Sequence, residues 1–139
     1  VTLANVGLGA VHGFAAPACA NYPIPHGSLC AVLLPHVVSA NAAALRVESA
    51  EHPSLQKYEA VGRALTADEN LRGQSAIDAG ISFLADLVDR LNIPGLREFG
   101  FQPNGFAELV ALARRSSSMR YNPVALPDDV LLAILHNAW

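Results

Sequence analysis

Gly27 to Leu45 reads GSLCAVLLPHVVSANAAAL, and this stretch decides the fold. It has helical length but no polar face, which predicts a helix buried among other helices and kinked near Pro35. The segments on either side have to supply its cover.

Upstream, residues from about Thr2 to Ala16 predict a first apolar helix. Pro17 to Pro25 then predicts a loop, because Pro17, Pro23 and Pro25 lack the N–H that a helix needs. Downstream, Ser54 to Leu65 and Ser75 to Leu91 are more amphipathic. In the second of these Ile77, Ile81, Leu84, Leu87, Val88 and Leu91 recur at helical spacing, which predicts core positions. NIPGLREFG reads as a turn with a short helical piece, Gly105 to Ser116 as a further helix, and SSSMRYNPVALP as the loop before the last helix. No strand pattern, internal repeat or low-complexity tract stands out. The expected class is all-α, a compact multi-helix bundle forming one domain over residues 1–139.

Composition narrows the function. A formal net charge of −3, from 9 basic and 12 acidic residues, supplies no positive field for a phosphate backbone, so nucleic acid is not an expected partner. Apolar runs are broken by proline, glycine or polar residues short of the roughly 20 apolar residues of a membrane span, and no membrane is expected. Cys19 and Cys30 lie among apolar neighbours without a signal-peptide pattern, which predicts buried thiols in a reducing cytoplasm. The opening VTLANVGLGAV has no cap residue ahead of its apolar positions, as if a helix were entered partway, and predicts a cut N-terminus. The closing LPDDVLLAILHNAW places Pro127, Asp128 and Asp129 at a helix start, where carboxylates complement the dipole, and predicts a natural end.

The chemistry concentrates in HGFAAPACANYPIPHG, residues 12 to 27, where a His-Gly pair stands at each end of a proline-rich connection. Turns need glycine and proline but gain nothing from two imidazoles, so His12 and His26 are site candidates. Their spacing of 14 residues is neither the i, i+4 pattern of a helical metal pair nor that of a zinc finger, and by itself leaves a structural role open.

GLGAVHGFAAP, YPIPHGSLCAVLLPHVVSAN and YNPVALPDDVLLAILHNAW together resemble the C-terminal helical domain of the iron-containing, or group III metal-dependent, alcohol dehydrogenases. The resemblance covers nearly the whole chain and implies a dehydroquinate synthase-like helical domain. In that family a divalent metal, iron or zinc, lies in a cleft between this domain and an N-terminal α/β nucleotide-binding domain. By resemblance His12 and His26 match two metal ligands. The family's other two, an aspartate and a histidine, precede the matched segment. So does the glycine-rich turn for NAD or NADP, since the early GLG reads as part of an apolar helix.

The resemblance implies oxidation of a small alcohol, or reduction of an aldehyde. Imidazoles and a carboxylate hold a metal that polarises the substrate oxygen, and the nicotinamide takes the hydride. His12 near the end of one helix and His26 just before the next are expected to face a common point, with the proline loop folding the helices side by side. Phe14 and Tyr22 are candidate substrate-pocket residues, with aromatic core packing as the competing role. Cys30, four residues after His26, suits a helical metal pair, but the Gly27-Ser28 helix start and apolar neighbours favour a core thiol. His36 is expected to be packed, and His52 and His136 to lie at the surface. Many family members carry a second histidine four residues after the first ligand; this chain has Ala16 there, which removes a proton relay but not a ligand.

The nucleotide-binding domain is thus an expected partner, the isolated chain is expected to be inactive, and its uncovered cleft face is expected to drive homo-oligomer formation. The alternative is a non-catalytic helical remnant or assembly module.

Overall fold

The computed structural model describes residues 8–139. Among the described residues six α-helices follow one another: α1 Ala10–Asn21, α2 His26–Glu48, α3 Pro53–Thr66, α4 Gly73–Arg90, α5 Phe106–Arg115 and α6 Asp128–Asn137. Short 3-10 turns stand at Leu96–Phe99, Pro103–Gly105 and Met119–Tyr121, and the described residues contain no strand. The all-α expectation holds.

α2 is the central helix and packs against α1, α3, α4 and α6. It buries Leu29, Val32, Leu33, Pro35, Val37, Asn41, Ala42 and Leu45. Pro35 lies inside the helix without ending it, so the run spans 23 residues. That corrects the expectation of short, broken apolar runs: by length and composition alone α2 is able to cross a membrane, yet it forms the core of this domain.

The first helix also departs from its predicted limits. Of the expected Thr2 to Ala16 helix, residues 2–7 lie outside the described residues. Gly9, with φ +78°, precedes the first helical residue, so the early GLG is not helical at that position. At the other end the helix continues through Pro17 to Asn21, and only Tyr22 to Pro25 is connection. A proline removes one N–H from a helix, but the turns on either side remain bonded, and the Asn21 Nδ2 donates to the Pro17 carbonyl at 2.8 Å.

The cap that the sequence did not offer comes from 112 residues away: the Ala10 N–H donates to Asn122 Oδ1 at 3.1 Å. Asn122 also exchanges hydrogen bonds with Asn41, a residue only 2% exposed, and donates to the Val124 carbonyl. Asn41 in turn donates to the Tyr58 hydroxyl at 3.2 Å. One polar network thereby ties the start of α1, the middle of α2, α3 and the loop before α6, and leaves no member unsatisfied.

α3 and α4 form a tight pair in which glycines allow backbone contact. A Cβ on Gly62 would stand 1.9 Å from the Ala76 carbonyl oxygen, and one on Gly80 would stand 2.8 Å from the Gly62 Cα. The apolar stripe of α4 is buried only at its start. Ile77 is in the core and Ile81 packs partly against it, but Leu87 is 37% and Leu91 61% exposed. The expectation that the whole stripe is core is corrected: beyond Ile81 its members are half-buried or exposed.

Candidate metal centre

His12 is the third residue of α1, not near its end as the sequence implied, because the helix runs on past Ala16. Its position is fixed by the Gly9 turn, the Asn122 cap on Ala10 and the close approach of α1 to the Met119–Tyr121 turn at Gly13. His26 is the first residue of α2, after an extended Pro25 whose carbonyl accepts the first helical bond from the Leu29 N–H at 3.0 Å. From His12 to Asn21 the helix rises about 13 Å at about 1.5 Å per residue. Tyr22 to Pro25, tightened by the Ile24 N–H donating to the Tyr22 carbonyl at 2.8 Å, then returns the chain. Ile24, 5% exposed, anchors this return in the core, and the Tyr22 ring stacks on Phe101 at 3.7 Å between centroids.

The return brings the two imidazoles together, with ring centroids 5.3 Å apart and planes tilted by 53°. Cys30, one turn along α2 from His26, joins them with Sγ 3.5 Å from His26 Nε2. One ligand atom from each of His12, His26 and Cys30 lies within 4.8 Å of the others. Two nitrogens each about 2.1 Å from one divalent ion stand at most about 4.2 Å apart, so small side-chain rotations bring this set to bonding distance. The donors, two imidazoles and a thiol, suit zinc or ferrous iron and not a hard, oxygen-preferring cation. The residues present fit a divalent metal.

The remaining sequence candidates separate cleanly. Phe14 is wholly buried in the core at 0% exposure, which is the core packing weighed against a pocket role. Tyr22 is half-buried and held by Phe101. Ala16 is exposed one turn beyond His12, so that face of α1 carries no proton-transferring group at the position. His36 lies ten residues beyond His26, about 15 Å along α2 and away from the pair. It is half-buried, and burial pulls its pKa below the usual histidine value.

His52 is more than a surface residue: its Nδ1 accepts from the Ser54 N–H at 3.1 Å and caps α3. His136 is exposed as expected, its ring edge-to-face with Phe106 at 4.9 Å. Both cysteines are free and only partly buried. Burial, and after it the Cys19 thiol, push the Cys30 thiol above its usual pKa. The i, i+4 spacing of His26 and Cys30 was the signal for the third member of the cluster, and the apolar neighbours of Cys30 concealed it. A charged cleft of about 730 Å3, lined by Glu59, Arg63, Glu69 and Arg72, lies at the α3–α4 turn and includes none of the cluster.

Residues 1–139 match the model of the Fe-containing alcohol dehydrogenase family, C-terminal. The chain belongs to the iron-containing alcohol dehydrogenase family. It is 31% identical over 137 residues to the lactaldehyde reductase of Escherichia coli K12, covering 97% of this chain and 34% of that protein. To the 1,3-propanediol dehydrogenase of Klebsiella pneumoniae it is 29% identical, over 97% of this chain and 33% of that protein.

Two solved structures share its fold. One is a 1,3-propanediol oxidoreductase, with TM-score 0.74 and 28% identity over 95% of this chain and 33% of that one. The other is an alcohol dehydrogenase from Oenococcus oeni, with TM-score 0.77 and 26% identity over the same shares. The chain therefore spans about one third of the length of the iron-containing alcohol dehydrogenase relatives it matches. Its fold is that of their C-terminal helical domain.

Proposed function

We propose that residues 1–139 are the metal-side domain of a cytoplasmic oxidoreductase that interconverts small alcohols and aldehydes with NAD or NADP, and that His12 and His26 are two of its metal ligands. The observation that carries this reading is the convergence of the two imidazoles, 5.3 Å between ring centroids, in a chain of this family. Relatives named for lactaldehyde and 1,3-propanediol support a short, hydroxylated substrate.

In this reading the chain's own residues bind and orient. α1 and α2 hold the imidazoles from two separate helices, and Ile24 and Tyr22 fix the segment between them. The N-terminal turns of both helices lie at the cluster, and their dipoles favour negative charge developing on a substrate oxygen there. When bound, the divalent metal supplies a Lewis acid that lowers the pKa of a substrate hydroxyl. Ala16 carries no exchangeable proton, so this position takes no part in proton transfer. Nucleotide binding belongs to an α/β domain that partners this one, and the 139-residue chain alone turns over no NAD(P)H with short aldehydes.

The test uses the chain joined to its nucleotide-binding half. His12→Ala and His26→Ala each remove most bound metal and most activity, since a site of about four protein ligands loses one. His36→Ala retains the metal and lowers stability by about 1 kcal/mol. Full metal occupancy in all three variants, by elemental analysis, would make His12 and His26 structural residues of the proline-rich return.

A further inference from the structure

The His12–His26 pair has a neighbour that the two-histidine reading leaves without a role. Cys30 follows His26 by one helical turn, so both project from the same face of α2, while His12 reaches the cluster from α1. With metal–sulfur and metal–nitrogen bonds of about 2.3 and 2.05 Å at a tetrahedral angle, sulfur and nitrogen on one ion stand about 3.6 Å apart. Cys30 Sγ stands 3.5 Å from His26 Nε2. The approach is made at a ring nitrogen, where a metal binds, and not at the ring's carbon edge.

We propose that, in this chain by itself, Cys30 Sγ is a third protein ligand of the ion held by His12 and His26, giving the domain a His2Cys face selective for a thiophilic divalent cation of the zinc or cobalt class. The proposal rests on the reading of His12 and His26 as ligands. Binding replaces the S–H bond with a sulfur–metal bond, and the proton passes to solvent. The thiolate softens the donor set and shifts preference toward zinc relative to ferrous iron. Three ligands from two helices of one domain also mean that this chain takes up metal before any other domain contributes.

The experiment titrates the full 139-residue chain, reduced and under anaerobic conditions, with cobalt(II) chloride. A near-ultraviolet sulfur-to-cobalt charge-transfer band reports the thiolate without any need for activity. The band is expected in the wild-type chain and in Cys19→Ala, and is lost in Cys30→Ala and in Cys30→Ser, which keeps the side-chain size. Cobalt affinity is expected to fall by more than about 100-fold in the two Cys30 variants, beyond the 10- to 100-fold typical of losing an outer-shell partner. Circular dichroism confirms that each variant is folded, and the wild-type band stands as a readout even where a variant is not.

Cobalt uptake without the band would overturn the proposal and leave a Cys30 to His26 hydrogen bond in its place. So would a band that survives in both Cys30 variants, which would belong to Cys19, or a wild-type chain that takes up no cobalt. The His12 and His26 assignment is judged separately, by metal stoichiometry in the two-domain protein, so loss of the thiolate role alone is distinguishable from failure of the histidine reading.

Discussion

The α1–α2 end of the domain and the α3–α4 hairpin solve opposite problems. α1 and α2 are apolar nearly all round, and they lie at the centre, where α2 meets four other helices. On that anchored pair the chain places its half-exposed His12, exposed His26 and half-buried Cys30. α3 and α4 have clear amphipathic patterns, yet they lean out from the core, pressed together through Gly62 and Gly80, and leave Leu87 and Leu91 in solvent. A strong helical stripe thus marks a helix that needs only one covered side. The weaker pattern marks the helix on which everything else packs, and a site built there inherits its rigidity.

This contrast is open to direct attack. The largest effect is expected from Phe14→Ala, which empties a fully buried position beside His12 and should lower unfolding free energy by about 4 kcal/mol in denaturant titration. A loss under 1 kcal/mol would mean that the ring is not part of the core and would restore it as a pocket residue. Gly62→Ala comes next. Its Cβ collides with the Ala76 carbonyl at 1.9 Å, so α3 and α4 must separate at a cost of about 3 kcal/mol. If the hairpin is peripheral, the cobalt spectrum of the His12–His26–Cys30 cluster should be unchanged in this variant at low temperature.

Asn122→Ala probes the link between the regions. It leaves the Ala10 N–H and the buried Asn41 amide without their partner, and a loss of about 2 kcal/mol is expected. It should also loosen the start of α1, so hydrogen exchange at residues 10 to 13 is expected to accelerate more than exchange in α4. Equal acceleration in both would mean that the network does not act locally on the site. The smallest effect belongs to Leu91→Ser, at 61% exposure, which should shift stability by less than about 0.5 kcal/mol in thermal melts. A loss several times larger would place the end of α4 against a covering surface.

Much of this was legible before any coordinates. The helical ranges 54 to 65 and 75 to 91 fell within two residues of α3 and α4, because period and flanking turn residues encode them locally. The entry into α6 at Pro127, Asp128 and Asp129 was equally plain, since its signals sit next to one another. His12 and His26 stood out as a pair because their glycine and proline surroundings gave imidazoles no ordinary structural use.

By itself, then, the sequence determined an all-helical domain of the iron-containing alcohol dehydrogenase family and pointed to two histidines. Tertiary structure alone decided how those residues meet. The cap that starts α1 comes from Asn122, far along the chain, and no window around Ala10 contains it. Pro17 stays helical because packing of α1 against α5 and the Met119–Tyr121 turn holds the helix together across the missing bond, against its local preference. Phe14 and Leu91 are both large and apolar, yet one is wholly buried and the other exposed, since burial depends on what lies opposite. Cys30 is the sharpest case: its neighbours in sequence are apolar, while its neighbours in space include two imidazoles, because the fold and not the local sequence sets what lies opposite it.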